Sequence, residues 1–269
     1  MTTPIDVKLF FNFRSPYCYL ASKTLWPIVD EFNTNLIWRP VGSWDLRSSP
    51  DRAKNKMPLA RQDIARFAKR LGIPLTPPPP TTDPTLAGMG SLLAKEKGLL
   101  RPYLIEVMRK EWADGQDIGD PQVLLDVGEQ IGLDRAELSA ALDNTAYATQ
   151  LERNAEEAAT LGVIGVPTFV IGEQIFWGQD RIDFVLDELR ELRAEGRAPG
   201  ANAGGRAGPV QPDRGLAAGQ VGVAVLRHPF LVRAPAQFGR LQTLGNEALD
   251  GPGVPEGVER LRLLGALRV

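Results

Sequence analysis

The 269-residue chain has a single cysteine, Cys18, and a single histidine, His228. One cysteine rules out an intramolecular disulfide, a thiolate metal cluster within one chain, and dithiol redox chemistry. One histidine, far towards the C-terminus, leaves almost no material for a Ser-His or Cys-His catalytic pair. No apolar run approaches the roughly 20 residues that span a bilayer. The start Met1-Thr2-Thr3-Pro4-Ile5-Asp6 lacks the basic and apolar stretches of a signal peptide, so no membrane contact and a cytoplasmic location are expected. With 31 Lys and Arg against 33 Asp and Glu, the net charge is -2. No basic stripe stands out, so nucleic acid is not an expected partner. Any chemistry carried out here must borrow its reactive group.

What remains is ample for a core, since 43% of the residues are hydrophobic. Val7 to Asn12 reads as a first strand, ending in a turn at Arg14-Ser15-Pro16. Ser15 suits an N-cap and Pro16 a first helical position, and a helix is expected from there through Ile28. Asn33-Thr34-Asn35 breaks that helix, and Leu36 to Arg39 reads as a second strand closed by Pro40. From about 43 to 162 the pattern turns helical. It shows an apolar face at Ile64, Phe67, Ala68 and Leu71, with further helices over 86–93, 103–112 and 123–131 and one opening at Arg135. Asp120-Pro121 opens one of them, and Gly132 with Asp134 closes it and begins the next. Pro77 to Pro80 reads as a stiff connector.

Strand character returns at Thr168 to Ile171. A Gly172-Glu173 turn and Gln174 to Trp177 complete a hairpin, and a last helix is expected from about Asp180 to Ala194. The order is that of an α/β, thioredoxin-like fold with an all-helical insertion domain. The thioredoxin-like part would be discontinuous, 5–42 and 163–196, around an insertion at 43–162. Beyond Gly196 the chain is rich in Gly, Pro, Ala and Arg and has no lysine. Residues 197–269 read as a disordered tail or as the product of a shifted reading frame.

The strongest local signal is Phe11-Asn12-Phe13-Arg14-Ser15-Pro16-Tyr17-Cys18-Tyr19-Leu20-Ala21. It sets Ser15 at a strand-to-helix turn, beside unpaired amides and the positive end of a helix. Such a turn stabilises an anion. In thioredoxins it carries Cys-x-x-Cys; here Ser15 takes the first position and Cys18 the second. Read alone, Ser15 is a helix cap and Cys18 a small buried core residue.

The segment resembles the active-site turn of 2-hydroxychromene-2-carboxylate isomerases and kappa-class glutathione transferases, relatives of DsbA-like proteins. Trp112-Ala113-Asp114-Gly115-Gln116-Asp117-Ile118-Gly119-Asp120-Pro121, Gly165-Val166-Pro167-Thr168-Phe169 and Trp177-Gly178-Gln179-Asp180-Arg181 resemble three further segments of that family in the same order. Together they span about residues 5 to 195. The resemblance implies that glutathione is the cofactor, with the Ser15 hydroxyl donating to its sulfur. Val166, before a cis Pro167, would pair with its cysteinyl part, and Gln179 and Asp180 would take its γ-glutamyl end. Asp180 read alone is an N-cap. Asn55-Lys56-Met57-Pro58 is similar to an Asn-x-Pro-Pro segment of the family, which makes Asn55 a candidate contact. Lys56 or Arg61 would stand for a lysine the family carries downstream.

The resemblance further implies a glutathione-dependent isomerase of aromatic keto acids that acts in aromatic-compound degradation as a homodimer. Arg14 or Lys56 would hold the substrate carboxylate. A kappa-like glutathione transferase and a non-catalytic glutathione- or peptide-binding module are the alternatives.

Overall fold

The computed structural model describes the backbone of residues 3–42 and 50–194, and side chains over 3–42 and 56–193. The chain divides into two units, Met1–Gly208 and Pro209–Val269, and the second lies wholly outside the described residues, as do the tail reading at 197–269 and the side chain of Asn55.

Strand β1 (Ile5–Phe11) leads through helix α1 (Pro16–Thr24) and a short α2 (Pro27–Asp30) to β2 (Thr34–Pro40), which lies parallel to β1 in register Ile5 with Thr34 through Phe11 with Pro40. The single helix expected from Ser15 through Ile28 is therefore two. Pro27 has no amide proton to continue the α1 ladder, and the chain passes through Leu25 and Trp26 before turning again. The hairpin of β3 (Thr168–Ile171) and β4 (Gln174–Trp177) adds to the other edge of β1, antiparallel throughout, for a sheet order β2-β1-β3-β4. A 3-10 turn at Gln179–Arg181 follows β4, and the last helix starts at Ile182. This is the thioredoxin-like arrangement.

Between β2 and β3 run α3 (Pro50–Leu71), α4 (Thr85–Glu96), α5 (Leu100–Trp112), α6 (Pro121–Ile131), α7 (Arg135–Leu142) and α8 (Thr145–Thr160), and α9 (Ile182–Ala194) ends the described chain. The caps fall where short polar side chains and glycine put them. Asp120 accepts from Gln122 N–H, Asp134 from Glu137 N–H and Asn144 from Ala146 N–H, while Gly132 closes α6 at φ 89°. Helix α3 starts well before the Asp63 region suggested by the apolar stripe, and Pro58 lies inside it. Asn55 is thus part of a helix.

Alternation along β1 assigns the two faces of the sheet. Val7, Leu9 and Phe11 join Phe169, Ile171, Cys18 and the Ile182–Val185–Leu189 stripe of α9 in the main core. Phe10 and Val170 face Ala158 of α8. Lys8 and Arg39 on that second face both grip Glu157, each at 2.6 Å. The helices between β2 and β3 are tied to the carboxyl ends of the strands. Phe13 stands edge-on to Tyr103, the Trp38 indole donates to Ser91 Oγ at 2.9 Å, and the Asn154 amide donates to Pro40 O at 2.7 Å.

Close approach of α4 to its neighbours depends on two small positions. A Cβ at Gly88 would lie 2.8 Å from Leu151 Cδ2, and one at Gly90 would strike the Tyr103 hydroxyl, itself held by donation to Ala87 O. Gly90→Ala is expected to lower stability by up to about 2 kcal/mol, because overpacking costs about 1–3 kcal/mol against a gain of ~1 kcal/mol in helix propensity. Adding Tyr103→Phe removes the obstructing oxygen and should recover part of the loss in urea unfolding; a double variant less stable than Gly90→Ala would contradict this packing.

Candidate functional site

The turn from β1 into α1 is built around Asn12, which is 5% exposed. Its backbone carbonyl accepts from Ser15 N–H at 3.0 Å, its side-chain oxygen accepts from Arg14 N–H at 2.8 Å, and its side-chain amide donates to Val41 O at 3.2 Å. The turn thereby presents Ser15 as the cap of α1, with its hydroxyl oxygen accepting from Cys18 N–H at 3.4 Å. The same hydroxyl donates to Val166 O, also at 3.4 Å. Both bonds are long, so the oxygen is loosely held, as befits a group that can turn towards a third partner.

Val166 and Pro167 are joined by a cis peptide bond. Gly178 N–H donates to Pro167 O at 2.9 Å, which draws the turn after β4 against the cis-proline loop. Gly178 sits at φ 118°, where a side chain is strained, and a Cβ there would meet the Asp180 carboxylate at 2.6 Å. A Cβ at Gly165 would meet the Trp177 indole nitrogen at 2.8 Å, so only glycine lets that loop lie flat on a tryptophan that is 45% exposed. Gln179 is buried, whereas Asp180 is half-exposed and paired with Arg181 at 2.8 Å.

The sequence candidates thus fall into two groups. Ser15, Val166, Pro167, Gln179 and Asp180 come together through the Ser15–Val166 and Pro167–Gly178 bonds. Asp180 also acts on Tyr17, two residues after Ser15, and with Asp63 and burial pushes that phenol up. Asn55 belongs to α3 and its side chain lies outside the described residues. Lys56 lines a cleft of about 250 Å³ with Tyr17, Leu59, Ala60, Asp63 and Arg66, between the start of α1 and α3. Arg61 is exposed and does not line that cleft. Arg14 does not point freely at a ligand. It lies against Glu111 at 3.4 Å, donates to Pro79 O at 3.1 Å and sits 5.5 Å over the Trp112 ring. Trp112 in turn donates to Phe13 O at 3.3 Å.

Cys18 is fully buried. Burial pushes its thiol up to about 12, even though the Asn12 backbone and Ser15 hydrogen bonds pull the other way. Two residues that sequence reasoning missed are prominent. Tyr17 donates to Asp63 Oδ2 at 3.4 Å and forms a wall of the cleft. Glu111 is charged yet falls on the otherwise apolar stripe of Tyr103, Leu104, Val107 and Met108 in α5, and that break in the pattern was the available signal. Among the described residues, no group of three His, Cys, Asp or Glu could hold a metal, and no helix is long and apolar enough to cross a membrane.

A β-α-β and β-β-α frame with a cis-proline loop facing the first helix defines a thioredoxin-fold protein. Residues 6–190 match the model of the DSBA-like thioredoxin domain, and the chain belongs to that family. A 2-hydroxychromene-2-carboxylate isomerase of Sphingobium xenophagum is 28% identical over 201 residues, covering 70% of this chain and 99% of the relative. The human glutathione S-transferase kappa 1 is 26% identical over 221 residues, covering 74% and 97%. A solved 2-hydroxychromene-2-carboxylate isomerase superposes with a TM-score of 0.61 at 24% identity over 71% of this chain and 97% of that one, a likeness of fold.

With its thiol pushed up to about 12, on the order of one Cys18 in ten thousand is ionised near pH 8. Native protein is therefore expected to resist labelling by a disulfide reagent and to react once unfolded in urea. Rapid labelling of the native chain would contradict the assignment of Cys18 to the core.

Proposed function

We propose that the chain is a glutathione-dependent isomerase of 2-hydroxychromene-2-carboxylate-type aromatic keto acids. The observation that carries this reading is the pairing at the α1 turn of a loosely held Ser15 hydroxyl with a buried, un-ionised Cys18. A turn of this kind can stabilise a bound thiolate but does not exchange disulfides through its own sulfur. The kinship with isomerases and a glutathione transferase supports the same reading.

The residues present fit glutathione. At the Ser15 turn, a hydroxyl donor and the positive end of α1 favour an anion. The Val166 backbone next to it suits an extended peptide laid alongside the cis-proline loop. Gln179 and Asp180 open the last helical segment, where Asp180 can meet an ammonium and helix amides a carboxylate. When bound, glutathione supplies a thiolate that adds reversibly to a conjugated carbon, permits rotation about a single bond and leaves unconsumed.

This chain's own part is to hold the sulfur ionised through the Ser15 hydroxyl, to orient the tripeptide through Val166, Gln179 and Asp180, and to seat the aromatic acid beside them. Lys56 and Arg66, cations of the Tyr17 cleft, suit the substrate carboxylate. Arg14, already engaged by Glu111 and Pro79 O, does not take that part. Assembly as a homodimer belongs to the same proposal.

The test is turnover of a 2-hydroxychromene-2-carboxylate with glutathione, following the rearranged product and the residual thiol together. Product with glutathione undiminished is the expected result. Stoichiometric loss of glutathione to a thioether would favour the kappa-like transferase suggested by the human relative, and binding without turnover a non-catalytic module. Ser15→Ala should lower kcat by about one to two decades, since a hydrogen bond to a charged group contributes ~1.5–3 kcal/mol. An unaltered kcat in a folded Ser15→Ala variant would leave Ser15 as a cap alone.

A further inference from the structure

The last turn of α5 meets the Ser15 turn at two points. Trp112 Nε1 donates to Phe13 O, and the Arg14 guanidinium lies over the Trp112 ring while its Nη1 faces Glu111 Oε1 at 3.4 Å. Glu111 has no exposed surface, and the Arg14 side chain is only 15% exposed. The contact is incompletely satisfied, because Glu111 Oε2 and Arg14 Nε are both buried without a hydrogen-bond partner. A buried carboxyl with one long bond and one orphaned oxygen is a weak stabilising element.

We propose that Glu111 is a positioning residue for the Ser15 turn: as a neutral carboxyl it seats Arg14 against the end of α5, and loss of its proton loosens the segment that presents Ser15. The charged groups that act on it are Arg14, from the turn leading into α1, and Asp117, from the loop after α5. On its own helix, Arg109 and Lys110 turn instead to Asp114, at 2.7 and 3.9 Å. Burial outweighs the attraction of Arg14, and Asp117 adds repulsion, so the Glu111 carboxyl is pushed up from its ordinary 4.5 to about 8.

The direction of the pH effect follows. Once the turn opens, Glu111 meets water and ionises near its ordinary value, whereas in the closed turn it keeps its proton to about pH 8. Between those limits the closed form binds more protons than the open one. Closure is therefore favoured at the acid end, weakens as pH rises towards about 8, and changes no further above it. For the reaction, this makes the Ser15 hydroxyl best placed on the acid side of that window. The inference rests on the geometry of the chain without ligand and not on what the chain binds.

The test is amide hydrogen exchange of the ligand-free full chain from about pH 6 to about pH 9.5, corrected for intrinsic rates. Protection of residues 12–18 should fall by up to about tenfold per pH unit towards pH 8 and level off beyond it, while α8 keeps its protection. Glu111→Gln should abolish the fall. Asp117→Asn keeps an oxygen for the Gly119 amide but removes the repulsive charge, so levelling off should move to lower pH. If Glu111→Gln does not fold, the Asp117→Asn comparison decides. A flat wild-type profile, a fall of equal size in α8, or a levelling point unmoved by Asp117→Asn would each overturn the proposal.

Discussion

The candidate site depends on the side chain of Asn12, a buried amide whose acceptor is used within the turn that leaves β1 and whose donor reaches the chain beyond β2. It ties the turn forward to Arg14 and sideways to Val41, while its backbone carbonyl holds Ser15. A buried polar group pairs or costs about 1–3 kcal/mol. With Asn12 satisfied in this way, Ser15 is delivered to the start of α1, and Phe13 turns inward to meet Tyr103 and Trp38. The loop at 165–167 then needs only glycine at 165 and the Gly178 bond to stand opposite. The helices inserted between β2 and β3 are therefore not an appendage to the sheet, because α5 supplies the ring and the carboxyl against which the turn rests.

The electrostatics of this arrangement separate it from a disulfide exchanger. Such chemistry needs a thiolate at the helix start. Here that position carries a hydroxyl, and the one cysteine of the chain is buried a turn further on, with its thiol pushed up to about 12. A hydroxyl at that point donates a hydrogen bond well and attacks poorly, which suits holding someone else's anion. Tyr17, two residues after Ser15, lines with Asp63, Lys56 and Arg66 a neighbouring cleft of mixed charge. The family's solved structures show how general the frame is, while the residues at the turn determine what this copy can do with it.

Much of this was legible because local rules and tertiary packing agree. Ser15-Pro16, Asp120-Pro121, Asp134 and Gly132 mark helix ends by hydrogen bonding and backbone freedom that need no distant partner. The β3–β4 hairpin could be read from two apolar runs around Gly172-Glu173, and the cis Val166-Pro167 bond was implied by the family resemblance. Other features depended on contacts that no spacing records. The break before Pro27 was overlooked because apolar spacing continues across it. The early start of α3 was hidden by Pro58, a residue ordinarily read as a helix boundary. Arg14 looked like a free cation until its partners, 65 and 97 residues away, were in view. Asn55 belongs to the same helix as Pro58, and its side chain lies outside the described residues.

The central claim is that Ser15 acts on a bound sulfur and not merely on its own helix. The most direct measurement is ultraviolet titration of the thiolate of glutathione bound to the wild-type chain and to Ser15→Ala, each near saturation. A free thiol ionises at about 8.5, and donation of a hydrogen bond to the anion favours ionisation. The account requires the bound thiol to titrate below that value in the wild type and to move back towards it in Ser15→Ala. A bound thiol that ionises no more readily than free glutathione, in a wild-type chain that holds it, would contradict the account.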